Sequence, residues 1–249
     1  MLELRDVDVF IDASRILRAV TLDAGAREAV CLVGRNGAGK TTLVNVLTGL
    51  MRPTSGRVRF KGQDVSGAGP VRLARLGMAR AFQLVNVFPG LTVAETIAVA
   101  IVARQRRGAR LFASLAGDRR AWGEVAEVAG LFGLGDKLGR LARTLPQGDK
   151  KLLDVASAFA LNPEVILLDE PTSGVSTADK HAIMAVLVQA AARLGIKSII
   201  QVEHDMDIVF GYSDRIVALH QGRVLADGPP QALQANDEVM ATVVGRARA

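Results

Sequence analysis

The sequence predicts an α/β fold: a core of parallel strands, an antiparallel β subdomain at the N-terminus and an α-helical subdomain inserted into the core. Three observations predict it. Ala29-Val30-Cys31-Leu32-Val33 and Val165-Ile166-Leu167-Leu168 are short, unbroken apolar runs, as expected of strands buried on both faces in a parallel sheet. Strand and helix patterns alternate along the chain, the arrangement of a parallel core. Residues 2–10 instead alternate, with Leu2, Leu4, Val7 and Val9 set among charges, and read as an edge strand of an antiparallel sheet.

In order, 16–22 reads as a second strand and 23–26 as a turn. Strand 29–33 leads into a glycine loop and then a helix ending at Gly49, with Leu43, Val44, Val46, Leu47 and Leu50 at helical spacing. Pro53-Thr54-Ser55-Gly56 is a turn, 57–60 a strand and Lys61-Gly62 a second turn. A loop at 67–70, a short helix at 71–76 and a strand at 79–83 follow. Thr92 with Glu95 three residues on forms a capping box, opening a helix that contains Val93, Ile97, Ile101 and Val102. Helical patterning continues over 122–132. Residues 84–150 are therefore expected to form the helical subdomain, inserted into an α/β core of 1–83 and 151–226. A helix from Asp149 to about Leu161 is stopped by Asn162-Pro163. Strand 165–170, helix 178–194, strand 198–202 and helix 206–210 come next. Strands 215–219 and 223–226 and a short helical tail over 227–249 close the chain.

The glycine loop carries the first chemistry. Gly34-Arg35-Asn36-Gly37-Ala38-Gly39-Lys40-Thr41-Thr42 fits G-x-x-x-x-G-K-[ST], the phosphate-binding loop of nucleotide triphosphatases. Glycines at 34, 37 and 39 let backbone N–H groups curl around an anion without Cβ obstruction. The helix that follows adds its positive end. Lys40 supplies charge for the outer phosphates, and Thr41 offers a hydroxyl to Mg²⁺. Strand, glycine loop and helix together predict a P-loop NTPase (RecA-like) core that binds a nucleotide. Asp169 ends the second apolar run, where such a core presents a carboxylate to Mg²⁺. Glu170 follows as the candidate general base, or orienter, for the water that attacks the γ-phosphate.

Bulk properties set the remaining bounds. The chain has 249 residues, 49% of them hydrophobic, and a mean hydropathy of +0.25. No apolar run approaches the ~18 residues of a membrane span. The N-terminal residues lack a basic head and a hydrophobic signal core, which predicts no export. One cysteine, Cys31, excludes an internal disulfide framework and suits a reducing compartment; its apolar strand predicts a buried, inert thiol. The net charge of +6 permits an anionic partner. Arg104, Arg106, Arg107, Arg110, Arg119 and Arg120 form the clearest basic cluster, but no aromatics interleave with them, so nucleic acid is not the expected partner.

The order of these parts resembles the ATP-binding cassette family, the ATPase subunits of ABC transporters. By that resemblance Gln83 corresponds to the glutamine that reaches Mg²⁺ and the attacking water and couples to the membrane partner. Leu145-Pro146-Gln147-Gly148-Asp149 falls where the family signature precedes a helix, so Gln147 and Gly148 are expected to meet ATP. Ser173-Gly174-Val175-Ser176 falls at the loop that crosses the dimer, and His204 matches the histidine that contacts the γ-phosphate. The register of the adenine-stacking aromatic falls at Ile11, with Phe10 beside it: either Phe10 substitutes or adenine packs on an aliphatic side chain. Gly77-Met78-Ala79-Arg80-Ala81-Phe82-Gln83, Thr92-Val93-Ala94-Glu95-Thr96 and Val202-Glu203-His204-Asp205-Met206-Asp207 look most like the ATPases of branched-chain amino acid importers.

The resemblance implies ATP and Mg²⁺, a head-to-tail dimer with a second ATPase subunit, identical or related, and transmembrane permease subunits. A substrate-binding protein enters indirectly. The chain would then sit in the cytoplasm, at the inner face of the membrane. Two positions depart from the family. Pro146 replaces the signature serine, removing a hydroxyl, and Ser176 replaces an aspartate. An ABC-type ATPase of a nucleic-acid or regulatory system is the alternative.

Overall fold

The computed structural model describes residues 1–81, 87–105 and 118–245. They form two compact units, Met1–Leu76 with Lys197–Ala249, and Gly77–Ile196.

In the first unit, β1 (Leu2–Ile11) lies between β2 (Ser14–Ala24) and β4 (Ser55–Phe60), antiparallel to both, and β5 (Gln63–Asp64) adds to the outer side of β4. β1 is thus an inner strand, which corrects the edge assignment. The alternation of Leu2, Leu4, Val7 and Val9, all buried, reports one apolar face and is silent on how many neighbours hydrogen-bond the strand. The second sheet of this unit is built around β3 (Glu28–Val33), parallel to both β8 (Ser198–Val202) and β9 (Arg215–His220). β10 (Arg223–Gly228) closes it antiparallel to β9. Cys31, Val33, Ile216 and Ala218 pack with Val209, Leu233 and Val239 in one apolar cluster. The tail is two short helices, Pro230–Gln234 and Asp237–Met240, followed by a π turn.

In the second unit, β6 (Met78–Ala81) and β7 (Val165–Asp169) are parallel neighbours. Thr92 caps α3 (Val93–Arg104): its hydroxyl accepts the Glu95 N–H, while the Glu95 carboxylate accepts the Thr92 N–H. α3 packs on α4 (Arg119–Leu131) and on α5 (Gln147–Ala160). Phe132 meets Phe159 edge-to-face at 5.1 Å in this core. Arg104 bonds Glu124 and the Ala160 carbonyl, so part of the basic cluster is engaged within the unit. Arg106, Arg107 and Arg110 lie outside the described residues. Among the described residues no helix is long and apolar enough to cross a membrane.

Candidate functional site

The phosphate loop grows out of β3, whose last four residues are fully buried. Gly34 leaves the strand at φ 152°, and a Cβ there would come within 2.4 Å of the Leu219 carbonyl oxygen. Gly39 has φ 102° and touches β2; an added Cβ would lie 2.9 Å from Leu17. Both positions need glycine. At Gly37 a Cβ would meet nothing within 4 Å, so the inner arch of the loop is open. The turn is closed by the Ala38 N–H on the Arg35 carbonyl at 3.0 Å and by the Gly222 N–H on the Ala38 carbonyl at 3.0 Å.

α1 (Lys40–Leu47) starts at Gly39 with no side-chain cap and no acid in its first turn. Its amide dipoles therefore face the loop unopposed. Lys40 is 7% exposed and folds back into the loop, its Nζ donating to the Gly34 carbonyl at 2.6 Å and the Arg35 carbonyl at 3.2 Å. An ammonium held against an open ring of glycine amides is a receptor for phosphate oxygens. Thr41 is exposed and Thr42 half-buried.

His204 belongs to the same unit. Leu32 and Val202 are register partners in parallel strands, so Gly34 and His204 each lie two residues beyond the same point of adjacent strands. The spacing of such strands is about 4.8 Å, which brings the histidine and the loop to one end of the sheet, the end where open α/β sheets bind ligands. His204 is exposed, while its neighbour Glu203 is buried and accepts the His204 backbone N–H at 3.2 Å. Phe10 is 47% exposed, with the Arg15 guanidinium 5.9 Å from its ring centroid, and Ile11 is 43% exposed.

The acidic residues are in the second unit. β7 is buried throughout and delivers Asp169 to its C-terminal end. Asp169 Oδ2 accepts from the Arg80 guanidinium at 2.5 Å. Glu170 follows at φ 50°, a left-handed conformation uncommon outside glycine, and its carbonyl accepts the Ser173 N–H at 3.0 Å. The strand therefore breaks sharply at the candidate base. Ser176 caps α6 (Thr177–Arg193), its hydroxyl accepting the Asp179 N–H at 3.3 Å. Serine keeps the capping role open to an aspartate but carries no charge.

The signature turn ends in α5, which starts at Gln147, two residues earlier than expected. Pro146 is its N-cap, with φ −57° and ψ 157° and no side-chain cap bond. Proline suits this edge because its fixed φ matches and the first turn needs no N–H from it. Gln147 is exposed and Gly148 half-buried, so the first-turn amides can receive an external anion. Asp149 would oppose an anion there, but the Lys137 ammonium pairs with it at 2.8 Å.

Gln83 lies outside the described residues. Two residues escaped the sequence reading: Arg80 and Lys137. The signal for Arg80 was present, since a charge inside Met78-Ala79-Arg80-Ala81 needs a buried partner. For Lys137 we see no local signal.

In donor chemistry the Asp169 carboxylate and the Thr41 hydroxyl, each taken by itself, are hard oxygens of the kind Mg²⁺ takes beside phosphates. Among the described residues no group of three or more His, Cys, Asp or Glu could hold a metal, and an ion arriving with a triphosphate needs none.

A glycine loop with a buried lysine after one strand, and two adjacent acids at the end of another, are the parts expected of a nucleotide triphosphatase. The profile of the family described as ABC transporter matches residues 17–173, and the chain belongs to that family. It is an ATP-binding, ATP-hydrolysing subunit of the class. The chain is 34% identical over 235 residues to the high-affinity branched-chain amino acid transport ATP-binding protein LivG of Escherichia coli K12, covering 92% of this chain and 91% of that one. It is 32% identical to the corresponding protein BraF of Pseudomonas aeruginosa, over 93% and 92% of the two chains. Among solved structures, cbiO1 from Clostridium perfringens, part of the ABC transporter complex cbiONQ, superposes with a TM-score of 0.82 at 27% identity, over 99% and 95% of the two chains. An ATP-binding cassette of an ABC transporter in its ADP conformation gives 0.83 at 24% identity, over 99% of each chain, a likeness of fold. These relatives support transport over the nucleic-acid or regulatory alternative.

Proposed function

We propose that this chain powers an importer of branched-chain or related amino acids. The similarity to branched-chain amino acid transport ATP-binding proteins over nine-tenths of the chain supports the importer reading, and the glycine loop that holds Lys40 supports its use of ATP. The amides of 34–42 and Lys40 hold the phosphates of ATP. Asp169, Thr41 and Gln83 would hold Mg²⁺, which would spread the charge on the phosphoryl oxygens. Glu170 accepts a proton from water as the water oxygen bonds to the γ-phosphorus and the bond from that phosphorus to the β,γ-bridging oxygen breaks, leaving ADP and phosphate. Gln83 orients that water, and His204 hydrogen-bonds the γ-phosphate. Phe10 offers an exposed ring face to adenine.

A second ATPase subunit, identical or related, places its signature turn over this triphosphate, and the uncapped amides at Gln147 and Gly148 do the same for the partner's. Cleavage removes the group that both sides grip, so the pair reopens. That motion reaches transmembrane permease subunits at the inner face of the membrane, and through them a substrate-binding protein. Nucleic acid has no part in the cycle.

The test is ATPase activity of the purified chain, alone and with its candidate permease in detergent. Co-elution with the permease and turnover raised by it are expected. An ATPase indifferent to every amino acid permease tried, and never co-eluting with one, overturns the importer reading.

A further inference from the structure

We infer that Arg80 is a positioning residue for divalent-cation binding: its guanidinium fixes one oxygen of Asp169 so that the other is presented to the metal. The inference rests on the reading of Asp169 as the Mg²⁺ carboxylate. Arg80 is the register partner of Leu167 on the parallel strand β7, and Asp169, two residues on, shares Leu167's face of that strand. The two side chains are 8% and 11% exposed and meet at 2.5 Å through Oδ2. The remaining residues of β6 are Met78, Ala79 and Ala81, all buried.

A carboxylate this dry is costly to keep ionised without a partner. The guanidinium supplies that partner as a fixed positive charge. Guanidinium also bonds along defined directions, unlike a lysine ammonium, and so restrains how the carboxylate can turn. With Oδ2 held, Oδ1 is the oxygen left to reach a cation. The arrangement is the outer-shell support that ligating carboxylates commonly need. It is built from β6, the strand whose sequence runs on to Gln83 three residues later.

The experiment measures binding of a fluorescent ATP analogue in EDTA and across a Mg²⁺ titration, with thermal melts as a folding control. Arg80→Met is expected to raise the half-saturating Mg²⁺ concentration roughly 10- to 100-fold, with binding in EDTA unchanged. An unchanged or lower Mg²⁺ requirement overturns the inference. So does an equal loss of binding with and without Mg²⁺, the mark of a merely structural residue. Should Arg80→Met fail to fold, Asp169→Asn with Arg80→Met removes both buried charges and is compared with Asp169→Asn alone. Equal Mg²⁺ curves are expected, and a further loss in the double variant overturns the inference. A wild-type protein that binds no nucleotide, or binds it regardless of Mg²⁺, instead sinks the functional reading on which the inference rests.

Discussion

At Cys31 the thiol is fully buried in β3, and burial, with a smaller contribution from the charge of Glu203, pushes its pKa up to about 12. The folded value lies above the ordinary 9.0, so the neutral thiol persists in the native protein at pH values where an exposed cysteine would begin to ionise. Only the thiolate attacks alkylating reagents. We expect iodoacetamide at about pH 8 to leave Cys31 unmodified in the native protein and to label it fully in denaturant, as read by mass spectrometry. Fast native labelling would show that β3 opens. The inert thiol was legible in the sequence because four aliphatic or small neighbours announce a buried strand. The left-handed backbone of Glu170 was not: nothing about a glutamate after an aspartate requires φ 50°, and the turn that imposes it is closed by Ser173.

Among the elements, β1 is tied to both neighbours by one side chain. Asp8 accepts the Ala19 N–H at 2.9 Å, the Arg15 Nε at 2.8 Å and the Ser55 hydroxyl at 2.9 Å. These donors, the Ala19 amide first, hold its carboxyl below its ordinary value of 3.8. Because the folded value is depressed, the stabilisation is complete above the ordinary carboxylate range and is lost as pH falls through the lowered value. Asp8→Asn should therefore lower the Tm near pH 7, with the difference from wild type shrinking as pH falls below 3.8 and through the lowered folded value. A pH-independent difference in calorimetry would refute this account. The capping box of α3 was readable from Thr92 and Glu95 alone, since both partners sit within one helical turn. The second neighbour of β1 was not readable, because β4 begins more than forty residues after β1 ends.

For the whole molecule, the expectation concerns assembly. Glu170→Gln removes the proton acceptor but leaves the phosphate loop, Lys40 and Asp169 intact. The variant should bind ATP and collect as a dimer on size exclusion in ATP with Mg²⁺, returning to monomer in ADP, with phosphate release lost. Normal phosphate release from the variant would disprove the role of Glu170, and a monomer under every nucleotide condition would disprove the shared-triphosphate cycle. The sequence by itself determined the phosphate loop, the strand that carries Asp169 and Glu170, and the capped helix α3. Each depends on local spacing, on backbone freedom at single glycines or on one apolar run, and such signals survive without any partner. Only the tertiary structure decided which charge holds Asp169, which lysine neutralises Asp149 and which strands flank β1. Arg80 and Asp169 are 89 positions apart, and strand register, which no local pattern encodes, is what brings a guanidinium onto that carboxylate.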